Sequence, residues 1–261
     1  MTLADDWTLE QMPVRFVAIA FACGIAYLGA AAYFPEHLSA RRQALLVWAV
    51  AIILRVIALP LEPGDDFWRY QWEGKMQHAG FNPYVQPPND PQLQTLRDEF
   101  PAWNKINHPD FSAIYPPGAE LLFAALSRVS DSPLLYKLIF SLADLATIAL
   151  LIQLVGGASR YARAAWYAWN PLVVYSFAGA AHFDSLMIMP AVAGVLLLTR
   201  YELADRPRDK WLLALGAATL FGAAISLKLI PLILLPLCAI ALRSRTPVLL
   251  VSVGVPALLC T

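Results

Sequence analysis

The chain has 261 residues, 59% of them hydrophobic and only 15% charged, with a mean hydropathy of +0.55. A soluble domain carries about 25% charged residues, and apolar runs of the ~18–20 residues that cross a bilayer core recur here, so the composition indicates an all-α polytopic membrane protein. Basic and acidic residues balance at 19 each with no basic block, which argues against a nucleic-acid partner.

The N-terminus is not a cleavable signal peptide, because its first ten residues are acidic (Asp5, Asp6, Glu10) where a signal requires a basic start. Val14–Tyr33 reads as a first span and Ala44–Leu61 as a second, separated by a loop with Arg41 and Arg42. Residues 62–115 then form a long segment rich in Pro, Asn, Asp and aromatics. Pro116–Ser130 is apolar but shorter than a comfortable span. Leu134–Val155, Ala164–Ala180, Ser185–Tyr201, Trp211–Leu227, Leu229–Leu242 and Pro247–Thr261 are further apolar candidates. Together these predict a bundle of about seven or eight membrane helices. The last run stops without a polar tail, so a C-terminally incomplete chain is expected. Cys23, Cys238 and Cys260 all fall in apolar runs without metal-ligand spacing and read as small packing residues.

Lys and Arg in short loops favour the cytoplasm. The basic loops are those with Arg41/Arg42, Arg160/Arg163, Arg200/Arg206/Arg208/Lys210 and Arg243/Arg245. Placing all of them inside requires Pro116–Ser130 not to cross. The 62–115 segment, the turn at Ala181–Asp184 and the turn at Ser226–Lys228 are then all outside. Asp65, Asp66, His182, Asp184 and Lys228 are thereby expected on one non-cytoplasmic side.

The polar stretch Gly64-Asp-Asp-Phe-Trp-Arg-Tyr-Gln-Trp-Glu-Gly74 is the centre of this reading. Asp65 or Asp66 suits a helix N-cap and Gly80 a C-terminal stop, which predicts a helix over 66–79. Trp68 and Trp72 share one face, and Arg69 and Glu73 form an i,i+4 pair on another. Interfacial aromatics favour an amphipathic helix lying at the headgroup level. One cap needs one Asp, so the second carboxylate is a candidate general base, and a carboxylate held partly out of water is the stronger base. His182-Phe-Asp184 is either a local hydrogen-bonded pair or part of a site. Asp144, inside a span, is either a helix–helix hydrogen bond or a functional acid. Lys228 either snorkels or offers a point charge to a phosphate. Asn107-His-Pro-Asp110 and Tyr115-Pro-Pro117 read mainly as extended structure forming the rim of a groove. No Walker loop, dinucleotide fingerprint, nucleophile elbow or zinc motif is present.

Asp65-Asp-Phe-Trp-Arg-Tyr-Gln-Trp-Glu-Gly74, Gly80-Phe-Asn-Pro-Tyr84, Ile106-Asn-His-Pro-Asp110, Tyr115-Pro-Pro117, Asn170-Pro171, His182-Phe-Asp184 and Lys228-Leu-Ile-Pro231 together resemble the GT-C superfamily. The nearest group is the bacterial mannosyltransferase-like proteins around glycosyltransferase family 87. The resemblance covers residues 44–236 and implies a GT-C-like bundle whose large external loop carries interfacial helices. It implies an inverting membrane enzyme of the bacterial plasma membrane, with its site on the outer face. The donor would be a polyprenyl-phosphate sugar and the acceptor a lipid or glycan, with mannose the sugar the resemblance carries. A catalytic Asp in the first external loop maps onto Asp65 or Asp66. Asp66 is slightly preferred, since Asp65 is nearer the span and better placed as a cap. A second acidic position maps onto Asp184, with His182, Arg69 and Lys228 as further substrate-binding candidates. A divalent metal is conceivable among the outer carboxylates, although no coordination set is visible. Two rivals stand beside this reading. A transporter or flippase of lipid-linked sugar is favoured by Asp144 alone, and an inactive truncated membrane subunit by the abrupt end.

Overall fold

The computed structural model describes residues 13–236. Asp5, Asp6, Glu10, Cys238, Cys260, the end of the Leu229–Leu242 run and all of Pro247–Thr261 lie outside the described residues. Among those described, every regular element is helical. The described residues form two compact units, one of residues 13–63 with 137–185 and the other of residues 64–136 with 186–236. One boundary lies in the loop before Asp65, and the other two fall inside long helices.

The first unit begins with α1 (Pro13–Ala32) and α2 (Ala40–Ala58). Val14, Val17, Phe21, Ile25 and Leu28 recur at three- and four-residue spacing and stay exposed along one face of α1. An apolar stripe that the protein itself leaves bare is the surface hydrocarbon covers. On α2 the inward stripe is Gln43, Val47, Ala51, Arg55 and Ala58, while Leu45, Ile52, Ile53, Val56 and Ile57 face out. An arginine on the buried stripe needs partners, and the fold supplies them from three directions. Its Nε donates to Asp144 Oδ2 at 2.6 Å, and its Nη1 donates to the carbonyls of Ala51 at 3.0 Å and Ala168 at 2.6 Å. Asp144 lies in α6 (Pro133–Val155), and Ala168 ends α7 (Arg160–Ala168). Asp144 is thus the ion-pair partner of an adjacent helix. Lys137 of α6 is also buried, and its Nζ donates to the carbonyls of Leu59 and Leu61 just past the end of α2.

The continuous span expected over Ala164–Ala180 does not form. Helix α7 ends at Ala168, Asn170 is extended (φ −63°, ψ 119°), and α8 (Pro171–Val174) restarts the chain. Pro171 disfavours helical geometry at the residue before it, and Asn170 Oδ1 accepts from the Leu172 N–H at 2.9 Å as a new N-cap. A π-turn over Tyr175–Gly179 follows.

The second unit is built on α3 (Asp65–His78) and α5 (Pro117–Val129), which pack along one another. Between them the chain forms 3₁₀ turns at Pro91–Leu93 and Trp103–Lys105 and the short α4 (Gln94–Glu99). The unit also contains all but the first two residues of α9 (Asp184–Leu203) and all of α10 (Pro207–Leu227), where Leu198, Ala217, Ala218, Phe221 and Ile225 form a cluster. The apolar stretch that was expected not to cross becomes α5, a 13-residue helix with Ala119, Glu120, Phe123 and Leu126 buried.

Length and apolarity single out four described helices able to cross a membrane: Val14–Ala32, Pro133–Val155, Asp184–Leu203 and Pro207–Leu227. Of the other expected spans, α2 carries Arg41, Arg42 and Arg55, the 164–180 run is broken, and the last two lie partly or wholly outside the described residues. The chain is a membrane protein.

Two substitutions test the packing. Asp144→Ala leaves Arg55 buried without its counter-charge, and unfolding in mixed micelles should show a loss of ~3–5 kcal/mol. Replacing both residues by leucine should recover most of it. At Gly74 a Cβ would run into Ser127 Oγ and the Phe123 carbonyl of α5, so Gly74→Val should cost ~1–3 kcal/mol in the same measurement.

Candidate functional site

Gly64 is extended (φ −64°, ψ 165°) and occupies the N-cap of α3, so Asp65 and Asp66 both sit in the first helical turn. Neither side chain caps the helix, contrary to the expectation that one of them would. Both instead place negative charge where the helix dipole is positive. The other end matches the expected stop. Gly80 takes φ +84°, its N–H donates to the Gln77 carbonyl at 3.1 Å, and the Phe81 N–H donates to the Met76 carbonyl at 3.0 Å. This is a Schellman motif, and Phe81 packs with the cluster that contains Met76.

The helix is not the one-sided amphipath that its aromatics suggest. Phe67, Arg69, Tyr70, Gln71, Trp72, Glu73, Gly74 and Met76 are all buried. On one side Tyr70 stacks on Phe123 of α5 with ring centroids 4.5 Å apart. On the other, Trp72 and Met76 join Leu93, Phe100 and Ile106 from the connecting segment. The chain from Gly80 to Tyr115 therefore folds back over α3 and encloses it.

Arg69 is the centre of that enclosure. Its Nε donates to Glu73 Oε1 at 2.6 Å, the i,i+4 pair expected from the sequence. Its Nη1 donates to the His108 carbonyl at 2.9 Å and, at 3.4 Å, to that of Asn107, while Nη2 donates to the Phe111 carbonyl at 2.5 Å. His108 holds a left-handed backbone (φ +46°), which turns these carbonyls toward the guanidinium. The side chain is buried and its donors are engaged. Arg69 is thus occupied in holding the segment.

The held segment reaches Asp66. Asn107 Nδ2 donates to Asp66 Oδ1 at 2.7 Å, across 41 residues of chain. Asp66 is half-buried, whereas Asp65 is exposed and its Oδ1 accepts from the Asp66 N–H at 3.0 Å. Of the two carboxylates, the tertiary structure orients Asp66. Asn107 was legible only as part of an extended rim; its role needs the loop to close.

A second carboxyl group reaches the back of this network. Glu120 of α5 is buried, and the Glu73 and Glu120 side chains lie within hydrogen-bonding reach. Gln77 Nε2 donates to the carbonyls of Glu73 and Glu120, each at 3.0 Å, and to Glu120 Oε2 at 3.3 Å. Burial foremost, then the charge of Glu73, pushes the Glu120 carboxyl up to about 9. Burial also raises Glu73, against the opposing pull of Arg69. The sequence signal for Glu120 was a lone acid in the apolar run Pro117-Gly-Ala-Glu-Leu-Leu-Phe123.

Lys228 stands at the C-terminal end of α10, half-buried, with its N–H bonded to the Ala224 carbonyl at 3.1 Å. That end of α10 meets the start of α5: a Cβ on Gly118 would lie 2.5 Å from the Ser226 carbonyl oxygen. Lys228 thus belongs to the same unit as Asp65, Asp66 and Arg69. His182 and Asp184 belong to the other unit, both half-buried. They follow the π-turn and Ala181, whose φ of +61° is costly for a residue with a Cβ. The His182 N–H donates to the Ser176 carbonyl at 2.8 Å. Such irregular backbone recurs at functional sites. Among the described residues no group of three or more His, Cys, Asp or Glu is placed to hold a metal ion.

An unfolded Glu120 loses its proton near 4.5 and the folded one holds it to about 9. Between those limits the native state binds the extra proton, so this contribution is complete at acid pH and is lost as pH rises. Thermal unfolding should show a midpoint that falls from about pH 5 to about pH 9. Glu120→Gln should flatten that fall.

A family model described as alpha-(1->6)-mannopyranosyltransferase, N-terminal domain, matches residues 4–244. No curated protein and no solved structure matches the chain.

Proposed function

The chain belongs to the alpha-(1->6)-mannopyranosyltransferase family, a glycosyltransferase family, and on that premise we propose that it transfers mannose from a polyprenyl-phosphate donor to a lipid or glycan acceptor, with Asp66 as general base. The observation that carries the assignment is the orientation of Asp66. Of two adjacent carboxylates in the first turn of α3, it alone accepts a hydrogen bond from the Arg69-held segment, through Asn107. A base must be held in a fixed direction, and a solvated carboxylate is not.

In this reading the acceptor hydroxyl oxygen attacks the anomeric carbon while Asp66 takes its proton. The bond from that carbon to the phosphate oxygen breaks, and the polyprenyl phosphate departs with the electron pair. Attack opposite the leaving group inverts the anomeric centre. Phosphate is a good leaving group, so positioning and one base supply most of what is needed. Because Arg69 is engaged with Glu73 and the segment carbonyls, the cation assigned to the departing phosphate is Lys228. His182 and Asp184 are assigned to the sugar, and the strained backbone before them supports a role in binding. The site is assigned to the outer face of a bacterial plasma membrane, as the resemblance to the GT-C superfamily implies. Pairing of Asp144 with Arg55 removes the feature that favoured a transporter.

Membranes containing the protein and a labelled polyprenyl-phosphate mannose provide the test. Asp66→Asn should lower transfer by ~10²–10⁴-fold at unchanged expression and melting temperature, and Asp65→Asn by far less. Full activity in Asp66→Asn would overturn the assignment.

A further inference from the structure

Glu73 and Glu120 are almost fully buried, at 2% and 3% exposure, and approach each other from facing helices. Glu73 Oε1 is taken by Arg69, but Glu73 Oε2 and Glu120 Oε1 are buried with no hydrogen-bond donor among the described residues. Two facing buried carboxylates, with one guanidinium paired to Glu73, carry one negative charge too many for a buried site. A proton on Glu120 resolves both problems at once. It removes the excess charge, and it supplies the donor that Glu73 Oε2 lacks.

We propose that Glu73 and Glu120 share a single proton, and that Glu120 is thereby a positioning residue for Asp66. The chain of contacts is continuous. Gln77 fixes Glu120 by donating to its Oε2, and protonated Glu120 donates to Glu73. Glu73, with both oxygens engaged, fixes the plane of its contact with Arg69 Nε. Arg69 then holds the carbonyls of Asn107, His108 and Phe111. Asn107 in turn aims Asp66. Loss of the shared proton puts a second negative charge beside Glu73, and the repulsion moves the carboxylate on which the Arg69 fork is registered. The charged groups acting on the pair are Arg69 and Asp66, both from α3. Lys75 of α3 is committed to Asp131 at 2.8 Å. Helix α10, which packs on α5, has ionisable side chains only at its start (Arg208, Asp209, Lys210) and Lys228 just past its end. Coupled carboxyl groups of this kind titrate as a unit.

This rests on the assignment of Asp66 as the base, and the test separates the two. The full chain, purified into nanodiscs, would be assayed with labelled polyprenyl-phosphate mannose across a pH series, together with Glu120→Ala, Glu120→Gln and Asp66→Asn. Glu120→Ala should lower kcat about 10-fold or more with little change in KM for the donor, since alignment and not binding is lost. Glu120→Gln keeps a donor toward Glu73 without a titrating proton. It should restore most of the lost kcat and move the alkaline fall in activity to higher pH. Wild-type kcat in Glu120→Ala, or an unchanged alkaline limb in Glu120→Gln, overturns the shared proton. If Glu120→Ala does not fold, the alkaline limb of Glu120→Gln decides alone. Full activity in Asp66→Asn overturns the base and not the pair, because the effect of pH on the melting temperature still reports on Glu120.

Discussion

The guanidinium of Arg69 is the constraint on which the second unit depends. A buried arginine must be neutralised and hydrogen-bonded, and here one requirement is met by the helix and the other by the loop. Glu73, one turn on, supplies the charge, and the backbone of 107–111 supplies the carbonyl oxygens. Neither source would be sufficient alone. Tying them together converts a long Pro- and Asn-rich connection into a lid whose inner side is the apolar cluster around Trp72. Asp66 is oriented as a by-product of the same closure.

A parallel solution appears in the first unit. Arg55 lies on the buried stripe of α2 and is neutralised by Asp144, while the carbonyl ending α7 takes up a further N–H. Both units therefore use one buried arginine to join a helix end or loop to a neighbouring helix. In a membrane the hydrophobic effect does not distinguish a neighbouring helix from lipid, so polar pairs and close approach by small residues must specify which helices meet. Gly74 against α5 and Gly118 against α10 are the corresponding close approaches.

Local backbone rules are broken at a few positions near the candidate residues. His108, directly after Asn107, and Ala181, directly before His182, are left-handed, and a π-turn precedes Ala181. Each costs free energy that the surrounding contacts offset, which is how strain persists at sites that must present a group in a fixed direction.

Composition, periodicity and capping chemistry determined what is local. The membrane character, the extent of α3, its stop at Gly80 and the Arg69–Glu73 pair all follow from residues within one or two helical turns of each other. The inability of Pro116–Ser130 to span follows from its length in the same way. Only the tertiary structure decided the rest. Asn107 and Asp66 are 41 residues apart, Arg55 and Asp144 are 89 apart, and no local pattern pairs such residues. Neither Asp65 nor Asp66 is a cap because Gly64 takes that position, a choice set by the path of the chain entering α3. Glu120 could be noticed as a lone acid, but its partner and its proton depend on a facing helix. The physical reason is the same throughout: capping and i,i+4 contacts are encoded in adjacent residues, whereas burial and the sharing of charge exist only once distant segments are brought together.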